Sequence, residues 1–229
     1  MPKKEGIRRL FDDIAPRYDL FNHLSSFGAD FGWRRKAVKT IVDEARPLDV
    51  LDVATGTADF AIAISRKAAS GSRIVGIDLS EGMLEVGRGK CVGLPIELQQ
   101  ADCEALPFAE ASFDRVSVAF GVRNFEHLQL GLEEMCRVLR PGGKMVILEL
   151  SYPRNRVLRW GFRLYAFRVL PLLGRILSGN SDAYRYLPAS IMHFPLPEEF
   201  MPMISAAGFT SVQPRTFTFG TCRMYTAIK

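Results

Sequence analysis

Leu48-Asp49-Val50-Leu51-Asp52-Val53-Ala54-Thr55-Gly56-Thr57-Ala58-Asp59 decides the fold. A mostly aliphatic run ends in a turn bearing Gly56, and a helical pattern begins at Thr57. Such a run, bounded by a glycine turn, reads as a buried strand over 48–54 followed by a helix over 57–69. The alternation then repeats. Residues 73–78, 95–101, 113–120 and 144–150 read as four more strands. Ser80 suits the N-cap of an intervening helix, with Asp78 and Glu81 beside its positive end. Residues 129–139 read as a helix stopped by Pro141-Gly142-Gly143. Strands alternating with helices imply a parallel sheet with right-handed crossovers.

Outward from that core the pattern changes. Ile7, Leu10, Phe11 and Ile14 recur at helical spacing, which predicts a helix over 4–14 ended by Pro16. A second helix is expected from Trp33 to Ala45, before Pro47. Residues 1–46 thus form a helical lid. At the other end, 210–219 and 222–229 read as strands around Gly220-Thr221, and so short a link demands an antiparallel hairpin. Five parallel strands and this hairpin make a seven-stranded α/β sheet. That is the methyltransferase variant of the Rossmann-like, doubly wound fold rather than a plain nucleotide-binding sheet. The chain, 1–229, reads as a single domain with a helical insertion over 150–195.

Composition excludes several classes. At 229 residues, 48% hydrophobic and 24% charged, the chain is not disordered and can bury a core without staples. Cys91, Cys103, Cys136 and Cys222 stand singly, and His23, His127 and His193 are not spaced with them as ligands. No disulfide framework or metal site is expected, and a reducing compartment fits. No apolar targeting segment or run of about 18 apolar residues is visible, so a cytoplasmic protein is expected. The net charge of +5 is local. Residues 150–181 contain no acid and hold Arg154, Arg156, Arg159, Arg163, Arg168 and Arg175. The remainder is near neutral.

The turn after the first strand carries the binding chemistry. Asp52, Gly56 and Thr57 surround it, and Asp78 closes the second strand, where a carboxylate accepts from two ribose hydroxyls. The dinucleotide fingerprint is absent, because positions 54 and 58 are alanines. Fewer glycines leave less room for a pyrophosphate, which favours a nucleoside without phosphates such as S-adenosylmethionine. Asp102 follows the third strand and can accept from an adenine amino group, while the Cys103 backbone N–H donates to the ring. Any one of these acids alone reads as a strand-end cap. Three at successive strand ends favour a ligand edge.

At these residues the sequence resembles the UbiE/MenG family of quinone C-methyltransferases over essentially its whole length. The resemblance rests on the segment from Tyr18, Asp19 and Asn22 through Ser26 and Gly28 to Trp33. It rests equally on Arg137 through Pro141, Gly143 and Glu149 to Ser151, and on Phe120-Gly121-Val122-Arg123-Asn124 between them. Residues 184–195 and 207–209 are also similar. The chain departs from the family pattern at Phe21, at Asp30 and in its glycine-poor turn. At Ala119 some relatives carry Ser, which removes a side-chain bond to cofactor. By position, the resemblance gives Thr57, Asp78, Asp102 and Cys103 as cofactor residues.

The resemblance implies methyl transfer from S-adenosylmethionine to a ring carbon of a polyprenyl quinol. Demethylmenaquinol is the expected acceptor, with the benzoquinol precursor of ubiquinone as alternative. Ring carbons become nucleophilic when the neighbouring hydroxyl loses its proton. Arg123 is expected to stabilise the quinolate and Asn124 to orient an oxygen. Tyr18, Asp19 and Asn22 would close over the pocket, and water or Asp19 would take the proton. His127 is a further candidate base, although a lone loop histidine is more often solvated. Residues 157–177 interleave arginines with Trp160, Phe162, Tyr165 and Phe167. That pattern suits either a peripheral contact of 154–177 with an anionic membrane face or a core helix with snorkelling arginines. Self-association through this helix is left open. Competing readings are a sterol or small-molecule methyltransferase, a nicotinamide-dependent oxidoreductase, and a nucleic-acid-binding module. Against the last, large apolar residues interrupt the basic stripe, so no nucleic acid partner is expected.

Overall fold

The computed structural model describes residues 4–172 and 182–229. Its sheet has seven strands: β1 Asp49–Val53, β2 Arg73–Asp78, β3 Ile96–Gln100, β4 Phe113–Ala119, β5 Leu139–Leu150, β6 Thr210–Phe217 and β7 Cys222–Ile228. The order is β3-β2-β1-β4-β5-β7-β6. β1 to β5 run parallel, and β7 inserts antiparallel between β5 and β6. This is the seven-stranded α/β sheet the sequence implied. Val50, Leu51 and Val53 are fully buried, each stabilising by roughly 1.5–3 kcal/mol.

The described helices are α1 Lys4–Ile14, α2 Tyr18–Ser25, α3 Ala29–Ile41, α4 Asp59–Ser65, α5 Glu81–Lys90, α6 Leu128–Val138, α7 Arg156–Leu164, α8 Asp182–His193 and α9 Pro197–Ala206. Cores lie on both faces of the sheet. One is built on α6 and α9 with Val116, Leu132 and Phe200; the other sits under α3 and α4 with Val50, Ile41 and Ile64. A third, small core of Ile14, Phe21, Met83, Ala166 and Leu170 joins the N-terminal helices to the segment after α7. The basic segment is therefore fastened to the N-terminal helices over α5.

Several boundaries differ from expectation for local reasons. α3 spans Ala29–Ile41, not Trp33–Ala45. Gly28, at φ 73°, turns the chain into it, and past Ile41 the side chains of Asp43 and Glu44 pair with buried Arg115. α4 begins two residues after Thr57. Pro141-Gly142-Gly143 does not separate helix from strand. β5 already starts at Leu139, and the register against β4 jumps from Phe113–Leu139 to Arg115–Lys144, so these residues bulge out of the strand. A Cβ on Gly143 would stand 2.7 Å from the Arg140 carbonyl oxygen. The terminal hairpin is linked by Thr218–Thr221, longer than the two residues expected, with a 3-10 turn over Thr218–Gly220. Arg175 and the rest of 173–181 lie outside the described residues.

Candidate functional site

The turn after β1 adopts left-handed backbone at alternate residues: Ala54 at φ 51°, Gly56 at 58° and Ala58 at 66°. Two of the three are alanines, and left-handed alanine costs about 1–2 kcal/mol. Hydrogen bonds hold the turn. Thr55 N donates to the Ile77 carbonyl at 2.8 Å, and Gly56 N to Asp78 Oδ2 at 2.8 Å. Thr55 Oγ1 and Ser117 Oγ donate to the two oxygens of Asp52 at 2.7 and 2.8 Å. Asp52 is thus a brace beneath the turn as well as part of its cavity wall. Burial pushes its carboxyl up to about 6. Gly121 lets the β4 turn approach, since a Cβ there would stand 2.6 Å from the Ala54 methyl carbon.

One cavity opens at this turn. Asp52, Gly56, Thr57, Asp78, Asp102, Cys103, Ala119 and Asn124 all line it, so the sequence-derived cofactor residues converge. Asp78 accepts from Gly56 N and from Ser80 N at 2.9 Å. Burial nonetheless outweighs these donors and pushes its carboxyl up to about 6. Burial also raises the Cys103 thiol. Asp102 is less free than expected, because Lys4 Nζ from α1 donates to it at 2.6 Å and to Glu104 at 3.0 Å. Burial opposes the charge on Lys4, but these bonds prevail and raise its pKa to about 12. Nearby, Asp12 of α1 accepts from Ser80 Oγ at 2.6 Å and Gly82 N at 3.0 Å, at the start of α5. α1 is therefore tied across the cavity at two points.

A second, more apolar cavity adjoins the first. Tyr18, Arg34 and Phe120 line both. Trp33, Phe162, Tyr165, Leu170, Leu187 and Ile191 contribute apolar wall, with Asn22 and Asp30 as polar members. Arg123 lines this second cavity and not the first. Its guanidinium pairs with fully buried Glu149 at 2.7 Å and donates to the Phe120 carbonyl oxygen and to Ser190 Oγ. Burial opposes its charge, and Glu149 more than compensates, so its pKa is raised. Asn124 Oδ1 already accepts from the Tyr186 hydroxyl at 3.0 Å. Burial raises the Tyr18 phenol.

Asp19 is placed otherwise than expected. It lines neither cavity. Its oxygens accept from Thr57 Oγ1 and from Lys90 Nζ at 2.7 Å, and Lys90 also pairs with Asp59. Helix α2 turns this carboxylate toward the α4–α5 surface, away from both cavities, so it is not placed to take a proton directly from a substrate there. His127 is largely exposed at the start of α6, with Nδ1 2.9 Å from Glu104, and lines neither cavity.

Two residues escaped the sequence reading. Arg34 pairs through one terminal nitrogen with Asp59 at 2.7 Å and lies 5.5 Å from the Phe120 ring centroid. Its Nε is buried without a hydrogen-bond partner. Asp30, 3% exposed, accepts from Ser26 Oγ at 2.6 Å and lies 2.8 Å from His23 Nδ1. Arg34 directly follows Trp33, where the recognised segment ends. Asp30 stood out only as a departure from the pattern.

Comparison with known proteins gives the family and the fold. The model of the ubiE/COQ5 methyltransferase family matches residues 1–229. A Geobacter sulfurreducens protein named ubiquinone/menaquinone biosynthesis C-methyltransferase is 48% identical, over 99% of this chain and 90% of its own length. A Bacteroides fragilis protein named demethylmenaquinone methyltransferase is 46% identical, over 99% and 94%. A solved SAM-dependent methyltransferase of Thermotoga maritima, at 17% identity, superposes with a TM-score of 0.67 over 96% of this chain and 99% of its own, a likeness of fold.

Proposed function

The chain belongs to the ubiE/COQ5 methyltransferase family, and from that premise we propose that it methylates a ring carbon of a polyprenyl quinol, converting demethylmenaquinol to menaquinol. The observation that carries this reading is the pair of joined cavities. A polar cradle at the β1 turn continues, past Tyr18, Arg34 and Phe120, into an apolar chamber. A methyl donor held in one would face a greasy ring held in the other.

S-adenosylmethionine supplies the electrophilic methyl group from its sulfonium. The residues present fit it. Asp78 offers acceptors to ribose hydroxyls, and the alanine-lined turn suits a nucleoside without phosphates. Arg34 Nε is a buried donor lacking an acceptor, an arrangement that is costly unless a ligand group completes it. The amino-acid carboxylate of the donor would complete it. Residues 4–41 act as the lid, tied down through Lys4 and Asp12.

In the apolar chamber, Arg123 holds the quinol oxygen as negative charge develops, with Glu149 fixing the guanidinium. Asp30 takes the hydroxyl proton, and His23 passes it to solvent. Asp30→Asn is expected to lower kcat about 100-fold while cofactor Kd stays unchanged; an unaltered kcat removes this role. Arg123→Ala, assayed with cofactor binding intact, should be similarly slow.

The apolar substrate reaches the chamber from a membrane face. α7 buries none of its residues, whereas Val157 is 76% and Trp160 69% exposed. That disfavours the core-helix reading of this segment. Phe162, Tyr165 and Leu170, from α7 and just after it, also line the chamber. The protein therefore works at the cytoplasmic face of the membrane as a peripheral protein. Among the described residues no helix is long and apolar enough to cross one.

The decisive assay is transfer of labelled methyl to demethylmenaquinol, with the benzoquinol precursor in parallel. Product from demethylmenaquinol alone assigns the menaquinone pathway, and product from both shows a dual enzyme. No product from either, with cofactor bound, overturns the substrate class.

A further inference from the structure

Among the described residues three arginines are buried: Arg115, Arg123 and Arg223. Arg115 pairs with Asp43 and Glu44, and Arg123 with Glu149. Arg223, on β7 and only 4% exposed, pairs through its backbone with Glu149 and Thr216, but its guanidinium makes no hydrogen bond or ion pair and meets solvent only in a groove. A buried guanidinium without a counter-charge is an expensive arrangement. Burial pushes its pKa down, and Arg154 adds to that.

Arg223 faces a groove outside the methyl-transfer site. Arg154, Asn155, Pro197, Glu198, Met201 and Phe219 line the groove with it. Arg154 pairs at the rim with Glu198, so two cations face one carboxylate. Arg159 fixes the segment by donating to the Pro153 and Arg154 carbonyl oxygens at 3.0 Å. Gly220 keeps the floor open, because a Cβ there would stand 3.3 Å from Pro153 Cα and 3.8 Å from the Arg223 guanidinium.

We propose that this groove is an anion-binding site for a phosphate group, with Arg223 as its buried bidentate donor and Arg154 closing over it from the rim. A guanidinium fork matches two phosphate oxygens, and binding would give Arg223 the counter-charge that the protein withholds. Asn155 also caps α7, so the site opens beside the proposed membrane-facing helix. The phosphate comes either from a phospholipid headgroup or from free solution. The proposal does not rest on the methyl-transfer reading.

The test compares the intact protein with Arg223→Met, which keeps volume and removes the charge. Thermal stability is followed against inorganic phosphate, with chloride at equal ionic strength as control. Flotation is measured on phosphatidylglycerol vesicles and on phosphatidylcholine vesicles. Stabilisation by phosphate, weakened at least about tenfold in the variant, supports a site for free phosphate. Selective retention on phosphatidylglycerol without response to phosphate, again lost in the variant, supports a headgroup site. Glu198→Gln removes the competing carboxylate and should tighten whichever binding is seen, which keeps the test valid if Arg223→Met fails to fold. Indifference of the intact protein to both probes overturns the proposal, as does binding that neither substitution alters.

Discussion

Asp78 sets the pH dependence expected of the site. Burial lifts its carboxyl from 3.8 to about 6, against the backbone donors of Ser80, Gly56 and Leu79. The ionised form is the better acceptor for ribose hydroxyls. Cofactor Kd should therefore rise about tenfold for each pH unit below 6 and level off above it. Titrating binding across that range checks this, and Asp78→Asn should abolish the slope. The stability effect has the opposite sense. A carboxyl with a raised folded-state pKa stabilises most below its unfolded value, and that contribution is lost as pH climbs through about 6. Asp52 shifts the same way, so both acids make the cofactor-free protein less stable at neutral pH than in mild acid. Asp52→Asn should flatten part of that decline in a pH series of melting temperatures. The sequence showed the three acids because strand ends are readable from periodicity. It did not show that Asp52 braces the turn or that Asp102 is held by Lys4, since both depend on residues distant in the chain. Arg34 was equally hidden, because an unpaired nitrogen is visible only when its whole surroundings are known.

Among the elements, the sheet was the most legible and the lid the least. Strand runs carry a strong local signal, and the N-cap at Ser80 is present as expected, its side chain accepting from Met83 N at 3.1 Å. Helix α2 was missed because Pro16 reads as a stop. In the structure Pro16 sits in a one-turn 3-10 helix over Ala15–Arg17, and a new helix begins at Tyr18; proline is tolerated in a first turn. That continuation carries Tyr18 and Asn22 to the apolar chamber. Of the two ties of α1, Lys4 also holds Asp102, whereas Asp12 reaches only the start of α5. Lys4 and Asp12 are partly exposed, and such pairs contribute at most about 1 kcal/mol each. Replacing both with Ala should leave the melting temperature within a few degrees of the parent. Cofactor release should quicken several-fold, because an unlatched lid opens more often. Stopped-flow release kinetics measure this, and an unchanged rate would mean that α1 does not gate the cavity.

For the whole molecule, charge and greasiness coincide on one segment. The sequence marked it out but left open whether its apolar residues face core or surroundings, since periodicity cannot say which side is covered. The structure divides the work. Ala166 and Leu170 are buried, whereas Val157, Trp160, Leu164 and Phe167 are exposed, as is Phe27 beside Tyr165. The arginines divide too. Arg159 is an internal tie, donating to two carbonyl oxygens and lying over the Tyr152 ring. Reversing its charge would disturb the fold as well as any docking. Arg156 and Arg163 are the cleaner probes. Near an anionic surface each cation contributes about 1 kcal/mol, so Arg156→Glu with Arg163→Glu should weaken vesicle binding by well over tenfold. Val157→Ser with Trp160→Ser should weaken it at all salt concentrations, whereas the charge reversals should matter less in high salt. Turnover of a short-chain soluble quinol should survive both pairs, because neither touches the cavities, and turnover of substrate embedded in vesicles should fall with binding. If sedimentation instead shows that the serine pair converts a dimer to monomers while vesicle binding stays intact, the exposed face is covered by a second copy and the membrane contact lies elsewhere.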